Sequence, residues 1–193
     1  MSRKMLYLMR HGQTMFNEQH RIQGWCDSPL TELGLRQADA ARVWFEENGV
    51  HFDAAYSSTS ERCCDTLERI TDIPYTRSKG LKEMNYGLLE AESERLAAHG
   101  PKEAETYYLR YGGSSSNDVR DRMVETLSSI MRKDGHNSVL AVSHGAASFN
   151  FLRGIGADLD MVRSKLTNCC IFVLAFEDDR FVLLDCIPNP VIQ

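Results

Sequence analysis

The sequence predicts an α/β fold: a three-layer α/β/α sandwich with a mostly parallel central sheet, an antiparallel C-terminal edge and a small cap insertion. Three observations predict it. Short apolar strand-like runs alternate with amphipathic helical stretches, the order that builds a parallel sheet covered on both faces. Three of these runs end in polar residues: Arg10-His11-Gly12, Ser57-Ser58 and Ser143-His144-Gly145. The last two runs, 169–176 and 181–185, are joined by the short polar turn Glu177-Asp178-Asp179-Arg180, as in a hairpin.

Taken in order, 4–9 reads as a buried first strand. Residues 31–48 read as a helix, with Thr31 as N-cap, Gly49 as its stop and Leu35, Ala38, Ala41 and Phe45 on one face. Residues 52–56 read as a short strand. Ser58-x-x-Glu61 matches a capping box that opens a helix through Ile70. Gly80-Leu81-Lys82 reads as a strand-like lead-in to Glu83. Val119, Met123, Leu127 and Ile130 make a helical stripe, 139–143 a short strand, and 145–152 the next helix. One domain spans 1–193. Its insertion at about 89–117 is polar, holds Tyr107, Tyr108 and Tyr111 and ends in Gly112-Gly113-Ser114-Ser115-Ser116. That stretch reads equally as a solvated excursion or as a cap over the site.

Composition narrows the function. Hydrophobic residues make up 42% and charged residues 25%, ordinary for a chain that buries a core. A net charge of -5 argues against nucleic acid and anionic membrane as partners, since both need a basic field. No run is long and apolar enough to span a bilayer. The N-terminal apolar run is too short for a signal peptide, so a cytoplasmic location is expected. The six cysteines include two adjacent pairs, Cys63-Cys64 and Cys169-Cys170. Neighbours point apart on a helix and to opposite faces on a strand, so neither pair suits a metal. Small buried thiols are the expected reading.

In open α/β sheets, ligands bind beyond the carboxyl ends of strands. That edge receives Arg10, His11, Arg62 and His144. Two guanidinium forks, imidazoles and helix N-termini suit a phosphate. One imidazole can then attack phosphorus, provided one ring nitrogen is unprotonated and the other is held by an acceptor. Transfer through a phosphohistidine also needs a group that protonates the leaving oxygen and later takes a proton from water. Glu83 is the natural carboxyl. Each residue alone is weak, and the strength lies in their joint order at predicted strand ends.

These residues sit in longer matching segments. The run 8–17, Leu-Met-Arg-His-Gly-Gln-Thr-Met-Phe-Asn, continues through 21–31 and Gly34 to Ala38. Ser57-Ser58 with Arg62 and Thr66, Leu81-Lys82-Glu83 with Gly87 and Glu90, and Val142-Ser143-His144-Gly145 follow. Together they resemble the histidine phosphatase superfamily, in its phosphoglycerate mutase-like branch. The resemblance implies His11 as the phosphorylated nucleophile, with Arg10, Arg62 and His144 holding the phosphoryl oxygens. It implies Glu83 as general acid and then base, and Asn17, Gln23, Gly24 and the backbone at Gly145 as pocket lining. It implies no metal and no cofactor. Two departures stand out: Ala91 replaces the glycine of many relatives, and Gly113-Ser114-Ser115 replaces a Gly-Glu-Ser.

The resulting expectation is a metal-independent phosphatase acting on a small phosphorylated metabolite. A phosphoglycerate mutase ranks second. Mutases of this family usually carry Arg-His after the catalytic Glu, whereas Met84-Asn85 follow Glu83 here, and acidic residues offset the basic ones in the insertion. A binding module without turnover ranks last, because all five chemical residues are present. Exposed aromatic residues would suit a homodimer or a pocket equally.

Overall fold

A computed structural model describes residues 3–100 and 102–191. The elements run β1 (Lys4–Arg10), α1 (Met15–Glu18), α2 (Glu32–Glu47), β2 (Ala54–Ser58), α3 (Glu61–Ile70), β3 (Tyr75–Ser78), α4 (Ser116–Met131), β4 (Ser138–Ser143), α5 (Gly145–Gly154), α6 (Asp160–Arg163), β5 (Ile171–Glu177) and β6 (Arg180–Ile187). They form one sheet in the order β3-β2-β4-β1-β5-β6. The first four strands pair in parallel, and β5 and β6 complete the sheet antiparallel to their neighbours.

Alternation along the central strands sorts the core into two layers. Val139 and Ala141 of β4 pack with Leu6, Leu8, Met123, Leu127 and Phe151, beneath α4 and α5. Leu140 and Val142 face the other way, onto Ala38, Ala41, Phe45 and Leu67 of α2 and α3. Both faces of β4 are buried from Val139 to Ser143, and β1 beside it is buried at Leu6, Leu8 and Met9, which fixes their register and the position of their carboxyl ends.

Most element boundaries match the sequence pattern. Thr31 caps α2 by accepting from the Gly34 N–H, and Gly49 follows the helix at φ +62°. Asp178 and Asp179 both take positive φ, at 48° and 63°. A two-residue turn of that handedness matches the twist of the β5–β6 hairpin. Three expectations fail. Ser58 does not cap α3: it belongs to β2, and the N-cap is Ser60, without a side-chain bond. The lead-in to Glu83 is a 3₁₀ turn at Lys79–Leu81, following the strand β3. Phe52 and Cys169 lie just outside the strands expected to contain them. All six cysteines are unpaired, and all but Cys26 are buried.

Between Gly87 and Tyr111 the chain makes short 3₁₀ turns. Ala91 within it has φ +66°. It is held there by its N–H on the Ile22 carbonyl at 2.9 Å and by Arg21 Nη1 on its own carbonyl at 2.8 Å. An alanine pays a steric penalty in this left-handed region that glycine escapes. Ala91→Gly should therefore raise stability by roughly 0.5–1 kcal/mol. Urea denaturation checks this, and a fall in midpoint would show that the strain is relieved in some other way.

Candidate active site

The parallel pairing of β1 with β4 places Arg10 opposite Ser143. The next residues on the two strands, His11 and His144, therefore emerge side by side, with ring centroids 5.4 Å apart. The His11 backbone is pinned on both sides. Its N–H donates to the Ser143 carbonyl at 3.0 Å, and its carbonyl accepts from Asn168 Nδ2 at 3.1 Å and from the Cys169 N–H at 3.2 Å. The His11 Nδ1 lies 2.8 Å from the Gly12 carbonyl. A carbonyl only accepts, so Nδ1 carries the proton and Nε2 keeps its lone pair. Burial first, then the charges of Arg62 and Arg10, hold the His11 pKa well below the usual imidazole value. The ring is neutral with a fixed tautomer, and its Nε2 lone pair is available.

Arg62 is fully buried in the first turn of α3. Its Nη1 donates to the Cys26 carbonyl at 3.0 Å and to Asp27 Oδ1 at 2.8 Å. Its Nη2 donates to the Gly24 carbonyl at 2.9 Å and to His144 Nδ1 at 2.8 Å. His144 must then carry its proton on Nε2, which donates to Ser58 Oγ at 2.8 Å. Burial and Arg62 keep His144 neutral as well. Arg10 lies at the same edge, with Nη1 on the Leu166 carbonyl at 2.9 Å and a buried Nε without a partner. Gly145 makes room for it: a Cβ there would stand 3.3 Å from that Nε. Gly12 also serves close approach rather than ligand contact. Its N–H goes to Thr66 Oγ1 at 3.0 Å, and a Cβ would meet the Gly34 carbonyl at 2.6 Å.

Glu83 faces this group from the segment after β3. Its Oε1 accepts from the N–H groups of Met84 at 2.8 Å and Ala147 at 2.7 Å, and its Oε2 from Ala146 at 2.9 Å. The start of α5 thus positions the carboxyl, and Oε2, with one bond, has room for a proton. Burial outweighs those bonds and raises its pKa above the ordinary carboxylate value. Glu90 ties the surroundings together. Its carboxylate accepts from the N–H groups of Gly24 at 3.1 Å, Trp25 at 2.9 Å, Cys26 at 3.0 Å and Tyr86 at 3.0 Å. Burial alone would raise Glu90, but hydrogen bonds from Cys26, Tyr86 and Trp25 prevail and lower its pKa.

These residues border a cleft of about 690 Å³. Arg10, His11, Asn17, Gln23, Glu83 and Gly145 line it. Arg62 and His144 are fully buried and do not line it, and neither does Gly24, contrary to the expectation for that residue. Gln23 is fixed between Thr14 and Ser28, and Asn17 Oδ1 takes the Thr14 N–H and Asn168 Nδ2. The stretch expected as an insertion contributes Ala97, Ala98, Ala104 and Tyr108 to the lining. Tyr86, Asn150, Arg21 and Arg163 also line the cleft, and sequence reasoning singled out none of them. Tyr86 lies three residues past Glu83, and that spacing was the one available signal for it. Among the described residues, no three His, Cys, Asp or Glu side chains cluster to hold a metal ion, and no helix is long and apolar enough to cross a membrane.

A family model described as the histidine phosphatase superfamily (branch 1) matches residues 6–187. A 2,3-bisphosphoglycerate-dependent phosphoglycerate mutase 2 of Bacteroides thetaiotaomicron is 28% identical, over 94% of this chain and 90% of its own. A metal-independent phosphoserine phosphatase of Arabidopsis thaliana is 31% identical, over 92% of this chain and 79% of its own. Among solved structures, YhfR of Bacillus stearothermophilus superposes with a TM-score of 0.80 at 28% identity, covering 94% of this chain and 95% of that one. A mutant phosphoserine phosphatase of Entamoeba histolytica in complex with phosphoserine gives 0.80 at 24% identity, covering 98% and 99%, a likeness of fold.

Proposed function

Since this chain belongs to the histidine phosphatase superfamily, we propose that it is a metal-independent phosphatase that hydrolyses a small phosphate monoester through a phosphohistidine on His11. The observation that carries this reading is the pairing of a neutral His11, its Nδ1–H spent on Gly12, with a buried Glu83 whose pKa is raised. One group is unprotonated and nucleophilic, and the other holds its proton to a higher pH than an ordinary carboxyl and can donate it. Arg10 meets the phosphoryl oxygens from the cleft. Arg62, with neutral His144 bonded to it, adds a buried cation to the same edge. Glu83 gives its proton to the leaving oxygen, then takes one from the water that hydrolyses the phosphohistidine. Phosphoryl transfer is mainly positioning and charge stabilisation, which fixed cations can supply.

A mutase is the second reading, favoured by the similarity to phosphoglycerate mutases and by Arg21 and Arg163 on the cleft. Against it, Glu94 shares that rim, and Arg163 lies 4.0 Å from Asp160. Phosphate release from a panel of esters in the presence of chelator separates the readings. Chelator-resistant release supports the phosphatase. Interconversion of 3-phosphoglycerate and 2-phosphoglycerate without release would replace it by the mutase.

The two ionisations set the pH profile. His11 must be deprotonated, and burial moves its pKa down, so the acid limb is displaced to lower pH. Glu83 must be protonated, and burial moves its pKa up, so activity falls as pH rises through that raised value. For an alkyl phosphate, kcat/KM should peak between the lowered His11 ionisation and the raised Glu83 ionisation, and Glu83→Gln should remove the alkaline limb. An alkaline limb that persists in the variant belongs to another group.

A further inference from the structure

Residues 79–83, which carry Glu83 to the site, lie in no strand and no α-helix. Main-chain carbonyls in such a segment still need donors, and here side chains from three other places supply them. Ser143 Oγ, at the end of β4, donates to the Leu81 carbonyl at 2.8 Å. Trp25 Nε1 donates to the Glu83 carbonyl at 3.2 Å. Arg122, on α4, makes three more such bonds. Its Nη1 donates to the Gly80 carbonyl at 2.8 Å and to the Lys79 carbonyl at 3.4 Å, and its Nη2 donates to the Glu83 carbonyl at 3.3 Å.

A helix-surface arginine ordinarily extends into water or pairs with a carboxylate. Arg122 is partly buried and spends its guanidinium on the carbonyls of this one segment. Burial draws its pKa down and the charge of Glu83 draws it up, so the cation sits close enough to feel the acid. Thr126, one turn further along α4, packs on the same segment: a Cβ at Gly80 would collide with its Oγ1. The planar fork therefore joins the start of the segment to its end, with one nitrogen on residue 80 and the other on residue 83. It fixes the backbone from which the Glu83 side chain departs. The carboxyl then reaches the N–H groups of Met84, Ala146 and Ala147.

We propose that Arg122 is a positioning residue for the general acid, holding the main chain at Gly80 and Glu83 so that the carboxyl stands where the leaving oxygen is protonated. This rests on the phosphatase reading for its kinetic readout but not for its exchange readout. Proton transfer needs hydrogen-bond contact between acid and leaving oxygen, and a displacement of about 1 Å costs up to a hundredfold in rate. The role is thus distinct from a contribution to stability, which would scale all substrates alike.

The test compares propyl phosphate with para-nitrophenyl phosphate in wild type, Arg122→Met, Arg122→Lys, Glu83→Gln and the Arg122→Met/Glu83→Gln double variant. The quantity read is the ratio of kcat/KM for the alkyl over the aryl ester within one preparation, which is independent of the amount of folded enzyme. Arg122→Met should lower that ratio by roughly tenfold. Arg122→Lys keeps the charge without the fork and should recover only part of the loss. In the Glu83→Gln background, Arg122→Met should change the ratio by less than about twofold, because the carboxyl it positions is gone. A ratio unchanged by Arg122→Met, full recovery by lysine, or independent losses in the double variant overturns the proposal. Amide hydrogen exchange gives a readout without turnover. Ala146 and Ala147 donate their N–H groups to the carboxyl, so Arg122→Met should speed their exchange by roughly tenfold relative to the amides of β4. That selective acceleration supports the proposal even if wild type hydrolyses neither ester, the outcome that sinks the phosphatase reading alone. Exchange at Ala146 and Ala147 that changes no more than at β4 overturns the role of Arg122.

Discussion

His11→Ala should lose phosphatase activity by roughly ten-thousand-fold or more, because the attacking atom itself is removed. The fold should persist. The backbone of residue 11 is held by Ser143, Asn168 and Cys169 through main-chain atoms that the substitution leaves in place. The side chain gives up one bond, to the Gly12 carbonyl. Circular dichroism and a melting temperature within a few degrees of wild type would establish that the loss is chemical. Acid-quenched wild type should also contain an acid-labile phosphoryl group that the variant lacks. A variant that kept most of its turnover would show that phosphorus is attacked by some other atom, water included.

Glu83→Gln should divide substrates by their leaving groups. An alkoxide leaves poorly unless protonated, so alkyl phosphates should slow by roughly a hundredfold or more. An aryloxide such as para-nitrophenolate leaves with little help, and its ester should lose far less. Part of the loss will be common to both. Three backbone N–H groups converge on the carboxyl, and a glutamine amide nitrogen can accept from none of them. The difference between ester classes is therefore the diagnostic quantity. Equal losses on alkyl and aryl esters would leave Glu83 as a structural anchor for α5.

Much of this site was legible because the chemistry sits where the strands end. The apolar runs of β1 and β4 are unmistakable, and His11 and His144 follow them directly. Thr31 and Gly49 bracket α2 by ordinary capping chemistry. What escaped notice did so for identifiable reasons. The strand β3 is short, at the sheet edge and polar at three of its four positions, so it lacks the alternation that marks a half-buried strand. Ser58 satisfies a local capping pattern, and only the fold reveals that its hydroxyl belongs to His144, 86 residues away. The burial of Arg62 depends on carbonyls from the 24–26 loop, which no local signal associates with a guanidinium. Asn150 lies on an apolar helix with no motif around it, and only the fold brings it to the cleft.

Glu90 carries a consequence for tolerance to acid. Its carboxylate is the common acceptor for the 24–26 loop and for Tyr86, so it clasps the segment behind Arg62 to the segment that bears Glu83. Its pKa is lowered in the folded protein. The stabilisation it supplies is thus complete above the ordinary carboxylate value and disappears as pH falls through the lowered one. Protonation leaves four N–H groups facing a neutral acid and weakens the clasp, leaving Trp25 Nε1 on the Glu83 carbonyl at 3.2 Å to join the two segments. Acidification through that lowered value should then loosen the floor of the cleft, read as a rise in hydrogen exchange at the Gly24, Trp25, Cys26 and Tyr86 amides.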